Sequence, residues 1–165
     1  MEVSRPASVA DLAVLDRLTA GAIDEQRPTR GGELLARRDS RPRPARPWLA
    51  EAIDDPDQLV LVGCIDLGPT SGAVPVGYAV GRVEVLRDGG RLAVVDELYV
   101  EPDAREVAVG EALMDDLLAW ATAQGCFGID ALALPGNRAT KNFFERYGLT
   151  ARAIIVHKRL GDDAS

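Results

Sequence analysis

Histidine occurs once in this chain, at His157, and cysteine twice, at Cys64 and Cys126. Metal centres built on such side chains need several of them at fixed spacing, and none is present, so no metal is expected. A serine–histidine–aspartate arrangement is not suggested either, and His157 reads as an ordinary strand residue. Two distant cysteines fit buried free thiols in a reducing compartment, which points to a cytoplasmic location. No apolar run approaches the ~20 residues of a membrane span. The N-terminus lacks the basic-then-apolar layout of a signal peptide, so none is expected. Positive charge is in deficit: 19 Lys and Arg stand against 26 Asp and Glu, a net charge of −7. That balance argues against a general nucleic-acid binder. An acidic cleft would suit an amine.

What the chain does have is apolar content of 47% in 165 residues, enough for one domain with a sizeable core. Residues 2–5 suggest a short first strand. Ser8 and Asp11 resemble a capping pair, and Leu12, Leu15, Leu18 and Ala22 then recur at helical spacing. Strands are expected over 58–65, 76–86 and 92–100, with Asp88-Gly89-Gly90 as the hairpin turn between the last two. Val109, Leu113, Leu117 and Trp120 or Ala121 form one helical face, and Gly125 marks its end. A strand over 129–134, a helix after it and a last strand over 151–160 complete the pattern. The main elements run β-α-α-β-β-β-α-β-α-β, an α/β fold with a mixed, mostly antiparallel sheet flanked by helices. Residues 1–160 are expected to form the domain and 161–165 a frayed tail.

Residues 27–47 differ in composition. They hold Arg27, Arg30, Arg37, Arg38, Arg41, Arg43 and Arg46 together with Pro42, Pro44 and Pro47. The alternating Arg and Pro from 41 to 47 exclude a regular helix, because each Pro restricts its predecessor. A short helix over 33–38, an extended basic loop and a helix over 48–53 are expected. The loop either lines the entrance to a site, where it would favour an anionic acceptor, or is a solvated, mobile insertion.

The most informative stretch is 94–113. An apolar strand meets Pro102, a short loop led by Arg105 follows, and an amphipathic helix opens at about Gly110. The first N–H groups of a helix have no internal partner, so this layout makes an anion site. Arg105 to Gly110 resembles the loop [Gln/Arg]-x-x-Gly-x-[Gly/Ala] of the GNAT family of N-acetyltransferases, with Ala108 where Gly is usual. Asn137, Phe143, Glu145 and Gly148 match that family's Asn-x-x-Ala-x-x-Phe-Tyr-Glu-Lys-x-Gly-Phe at the expected distance downstream.

The resemblance implies a single-domain GNAT-like acetyltransferase with acetyl-coenzyme A as cosubstrate. The pyrophosphate would lie on the backbone N–H groups of Val107, Ala108, Val109, Gly110 and Glu111, with Arg105 adding charge. A methyl at Ala108 is tolerable where φ is negative and obstructive where it is positive. A main-chain N–H near Leu98, Tyr99 and Val100, freed by a bulge in the fourth strand, would polarise the thioester. Asn137 would touch the pantetheine arm, cap a helix, or do both. Phe144 stands where the family often has Tyr, so that position would contact cofactor without supplying an acid.

Amine acetylation also needs a neutral nucleophile and benefits from protonation of the thiolate. Asp96 and Glu97 are the candidate bases or acceptor-binding carboxylates. As strand neighbours they should face opposite ways. Tyr147 is the remaining candidate acid, alongside a packing role, and Tyr99 is placed either at the cleft or in the core. With no credible nucleophile, the acetyl group would pass by direct attack in a ternary complex to a primary amine, on a small molecule or a peptide. A non-catalytic coenzyme A-binding sensor or partner subunit is the alternative, and an Arg-rich interaction module a third. Homodimer formation is common in the resembled family. Neither nucleic acid nor membrane is an expected partner.

Overall fold

The computed structural model describes residues 1–161. Strand β1 (Glu2–Pro6) leads into α1 (Leu12–Gln26), α2 (Gly32–Arg38) and α3 (Arg46–Asp54). Strands β2 (Gln58–Asp66), β3 (Ala73–Val85) and β4 (Arg91–Val100) follow, then α4 (Val109–Ala123), β5 (Gly128–Ala131) and α5 (Arg138–Arg146). The sheet order is β1-β2-β3-β4-β5. The first four strands pair antiparallel, and β5 runs parallel to β4. This is the mixed, mostly antiparallel α/β sheet that the hydrophobic patterning implies.

Alternation along the strands makes two apolar layers. Val60, Val62, Tyr78 and Val80 face Leu15, Leu18 and Leu49 of α1 and α3. Leu61, Ala79 and Val95 face Leu113, Met114 and Leu117 of α4 and Phe144 of α5. Two glycines let α4 lie close on the sheet. A Cβ at Gly63 would come within 2.6 Å of Val109 Cγ1, and one at Gly81 within 2.9 Å of Leu117 Cδ2. Gly125, at φ +71°, takes the left-handed turn that ends α4.

Asp11 fastens the first turn. Arg5 donates to its two oxygens at 2.7 and 2.8 Å, and the Ser8 N–H donates to Oδ2 at 2.8 Å. These bonds, Arg5's first, outweigh the upward push of burial and hold Asp11 at about 2. Because the folded value is depressed, the stability is fully present above the unfolded value of ~3.9 and is lost as pH falls towards 2. Arg5 is half exposed, so screening limits the effect to on the order of 1 kcal/mol. Urea unfolding of wild type and Asp11→Asn at about pH 6 and about pH 2.5 is expected to show this acid-dependent loss in wild type only.

Two expectations need correction. Residues 151–160 do not form a strand. Ile154, Ile155, Val156 and Leu160 are 74–89% exposed, and Arg152 is tied to Asp130 at the sheet edge. A β-rich sequence becomes a strand only where an edge receives it, and no β5 pairing extends past Ala131. His157 therefore lies in exposed chain rather than in a strand. The strand expected over 129–134 is also shorter, ending at Ala131. Of the expected tail, only Gly161 lies within the described residues.

The basic segment is docked rather than mobile. Asp16 accepts the Ala45 N–H at 2.8 Å, and Arg43 donates to the Ala20 carbonyl at 3.0 Å and to Asp24 at 2.9 Å. The acids of α1 thus fix residues 43–45 along the helix. Among the described residues, no helix is long and apolar enough to cross a membrane.

Candidate active site

The site grows from a fault in β4. Val80 pairs with Glu97 while Gly81 pairs with Val95, so Asp96 is an extra residue on the β4 side. Such a bulge bends the strand and shifts its side-chain parity. Val95 packs beneath α4, yet Glu97 turns to the opposite face, where Tyr99 joins the α1–α3 layer. Pairing with β5 also ends here, its last partners being Val95 and Ala131. Beyond that point β4 continues to Val100 with no β5 partner, which leaves a gap in the ladder.

The backbone polarity of the gap follows from strand alternation. The Glu101 N–H donates to Val76 of β3 at 2.8 Å, so the groups of Tyr99 face β3 as well. Those of Leu98 and Val100 face the gap. The Val100 carbonyl accepts from Arg105 Nε at 2.9 Å. The freed main-chain groups therefore belong to Leu98 and Val100, and Tyr99 contributes its side chain on the other layer.

At the far end of the gap, α4 begins at Val109 with Ala108 as its N-terminal flank, at φ −74° and ψ 29°. That negative φ makes the Ala108 methyl tolerable. Val109 is fully buried and anchors the first turn. Its N–H is taken by the Val107 carbonyl at 2.8 Å, and that of Ala112 by Ala108 at 3.0 Å. Gly110 and Glu111 lie between, in the turn whose N–H groups lack intrahelical acceptors. Glu106 is exposed, and Glu111 lies 3.7 Å from the Arg146 guanidinium. Both acids are thus screened or offset.

Arg105 is occupied elsewhere. Besides Val100 it reaches Glu25 of α1 at 2.5 Å, and its guanidinium lies 5.7 Å from the centre of the Tyr99 ring. It braces the loop against β4 and α1 rather than pointing at the α4 N-terminus. Asn137 caps α5, accepting the Thr140 N–H at 3.1 Å. Phe144 is buried in the α4 layer. Phe143 covers Gly110, its ring 3.5 Å from where a Cβ would stand. The Tyr147 hydroxyl donates to the Glu111 carbonyl at 3.2 Å. Burial, then Asp115 and Glu111, push that hydroxyl up to about 12.

The two candidate carboxylates separate cleanly. Asp96 is exposed and accepts from Arg82 at 3.1 Å. Glu97 is mostly buried and ion-paired with Arg41, whose side chain is only 15% exposed. The second Glu97 oxygen, Oε2, is buried with no partner among the described residues. Burial lowers the Arg41 guanidinium, while Asp96 and Tyr78 raise it. Arg41 is the site residue that sequence reading passed over individually. Its signal was the Arg-Pro alternation, which marks an extended chain but not which Arg turns inward. Among the described residues, no cluster of His, Cys, Asp and Glu suits a metal ion.

No curated protein matches the chain in sequence. In structure it is similar to the tetramutant of BH1408 protein from Bacillus halodurans, with a TM-score of 0.76 at 16% identity over 96% of this chain and 99% of that one. Glucosamine-6-phosphate N-acetyltransferase from Arabidopsis thaliana gives 0.66 at 16% identity, over 98% and 99%. AAC(6')-Iy, in complex with the bisubstrate analogue CoA-S-monomethyl-acetylneamine, gives 0.69 at 17%, over 97% and 99%. At such identities these likenesses establish the fold. The model of the acetyltransferase (GNAT) family matches residues 16–149, from within α1 through the end of the α5 motif, and the chain belongs to that family.

Proposed function

We propose that this protein transfers an acetyl group from acetyl-coenzyme A to a primary amine by direct attack in a ternary complex. The observation that carries this is the unpaired edge of β4 beyond its last β5 partner. It has the gap-facing groups of Leu98 and Val100 along one side and the unfilled N–H groups of Gly110 and Glu111 at its end. An extended thioester-bearing arm fits the first, and a pyrophosphate fits the second. The thioester carbonyl would be polarised by a β4 N–H, and charge developing on its oxygen would be stabilised there. Phe144 would contact the cofactor through its ring edge, and Asn137 through whatever capacity its capping role leaves free.

Glu97 is the carboxylate we assign to the amine, because it lies beside the β4 bulge with one oxygen unpartnered among the described residues. Tyr147 is assigned a bracing role. Its single proton already joins α5 to the first turn of α4. Tyr147→Phe is expected to cost about 1 kcal/mol of stability and to leave kcat within severalfold. A fall of the ~10²-fold size typical of a lost acid would restore it as the proton donor. Acceptors of the class proposed are small molecules or peptides. Free thiols at Cys64 and Cys126 fit a cytoplasmic setting.

Calorimetric titration with acetyl-coenzyme A, with ATP as control ligand, tests the cofactor half. Thiol release on adding primary amines tests the transfer half. Selective binding with no release for any amine would favour a coenzyme A-binding sensor. No binding would remove the proposal altogether.

A further inference from the structure

A cavity of about 280 Å³ lies between the end of α1, α2 and the basic loop. Ile23 and Ala36 give it apolar walls, and Arg27, Arg37, Arg41 and Arg43 line it. Four guanidinium groups around one cavity repel each other unless negative charge lies between them. Only two are visibly offset: Arg43 pairs with Asp24, and Arg41 with Glu97. Arg27 and Arg37 have no ion-pair partner among the described residues. The guanidinium fork matches carboxylate and phosphate oxygens, and apolar walls strengthen such contacts. The loop is held in place by Asp16 and Asp24, so little ordering is left for binding to complete.

Arg41 belongs to both sites. It lines the cavity and contacts Glu97. The second oxygen of that carboxylate, Glu97 Oε2, is buried without a donor among the described residues. An amine N–H is the donor this oxygen lacks. An anion in the cavity would compete for Arg41 and leave the lone pairs of Glu97 to the amine.

We infer that the arginine cavity binds an anionic group, phosphate or carboxylate, carried by the amine acceptor, and that Arg41 links its occupancy to Glu97. This rests on the acetyl-transfer reading for the amine end, but not for the anion end. The substrate class is then a small molecule with an amine and an anion a few bonds apart, such as an aminoalkyl phosphate or an amino acid.

The two ends are tested separately. Protein saturated with acetyl-coenzyme A, so that the pyrophosphate site is filled, is titrated with inorganic phosphate and with acetate. The double variant Arg27→Gln/Arg37→Gln, changed at exposed positions, is treated alike. We expect anion affinity to fall at least about tenfold in the variant, with acetyl-coenzyme A affinity unchanged. Equal anion affinity in the two proteins, or none in wild type, overturns the inference. Phosphoethanolamine, β-alanine and ethanolamine are then compared as acceptors. The expected result is a kcat/KM at least about tenfold higher for one anionic amine than for ethanolamine, carried mainly by KM and lost in the double variant. Which of the two prevails distinguishes phosphate from carboxylate. Ethanolamine matching both overturns the acceptor assignment. Variant-sensitive anion binding without acetylation of any amine would keep the anion site and sink the acetyl-transfer reading instead.

Discussion

Gly110→Glu is expected to weaken acetyl-coenzyme A binding by about a hundredfold while the fold stands. Gly110 is the second residue of α4. A Cβ there meets the Phe143 ring at 3.5 Å, an ordinary contact, so the first carbon of the new side chain is accommodated. Beyond it, the carboxylate would find the same attraction that a pyrophosphate would: unfilled N–H groups and the positive end of the helix. An acid in the first turn stabilises a helix, so unfolding free energy should stay level or rise slightly. The cost falls on the ligand, which meets a tethered anion in its place. Losing charge-assisted contacts and adding repulsion amounts to roughly 2–3 kcal/mol, or a factor of about 30–150. Gly110→Ala separates space from charge. It adds the Cβ alone, is expected to keep its affinity, and should gain about 0.5–1 kcal/mol from reduced backbone freedom in the unfolded chain. Calorimetry on the three proteins checks both. Unchanged affinity in Gly110→Glu would take this loop out of the cofactor site.

The first four strands, the helices and the loop that enters α4 were legible because they depend on local pattern. Val109, Leu113 and Leu117 mark α4 by spacing, and all three are fully buried. The bulge is implied only by resemblance, as a feature of the fourth strand that frees an N–H near Leu98 to Val100. It falls at Asp96, and it decides which main-chain groups are freed. Nothing in Val95-Asp96-Glu97 marks an extra residue, because a bulge arises from how β3 and β4 register against each other. The last strand failed for a related reason. Ile154, Ile155 and Val156 have strand propensity, but propensity does not supply an edge to join. Arg105 matched the loop pattern by identity and position, and its side chain still turned to Val100 and Glu25. The inward Arg41 needed three-dimensional placement, since seven arginines between 27 and 46 look alike in sequence.

Glu97→Gln carries the other large effect. If Glu97 takes the proton from the attacking amine, its removal should lower kcat/KM by about 10²–10⁴-fold near neutral pH. Gln keeps the shape and one acceptor oxygen for Arg41, so the loss of stability should be modest, on the order of 1–2 kcal/mol. Asp96→Asn is the matched control. It breaks an exposed pair with Arg82, worth under about 1 kcal/mol, and should leave turnover within about twofold. The pH dependence gives the decisive sign. A carboxylate base works only when ionised, so wild-type activity should fall as pH drops through its pKa, and the variant should lose that acidic limb. As pH rises, the acceptor amine deprotonates in solution and needs the enzyme's base less. The deficit of Glu97→Gln should therefore shrink at alkaline pH. A constant deficit at every pH would mean that Glu97 positions the acceptor through Arg41 without moving a proton. Full activity at every pH in both variants would exclude both carboxylates as the base, leaving water or the solution equilibrium of the amine to supply the neutral nucleophile.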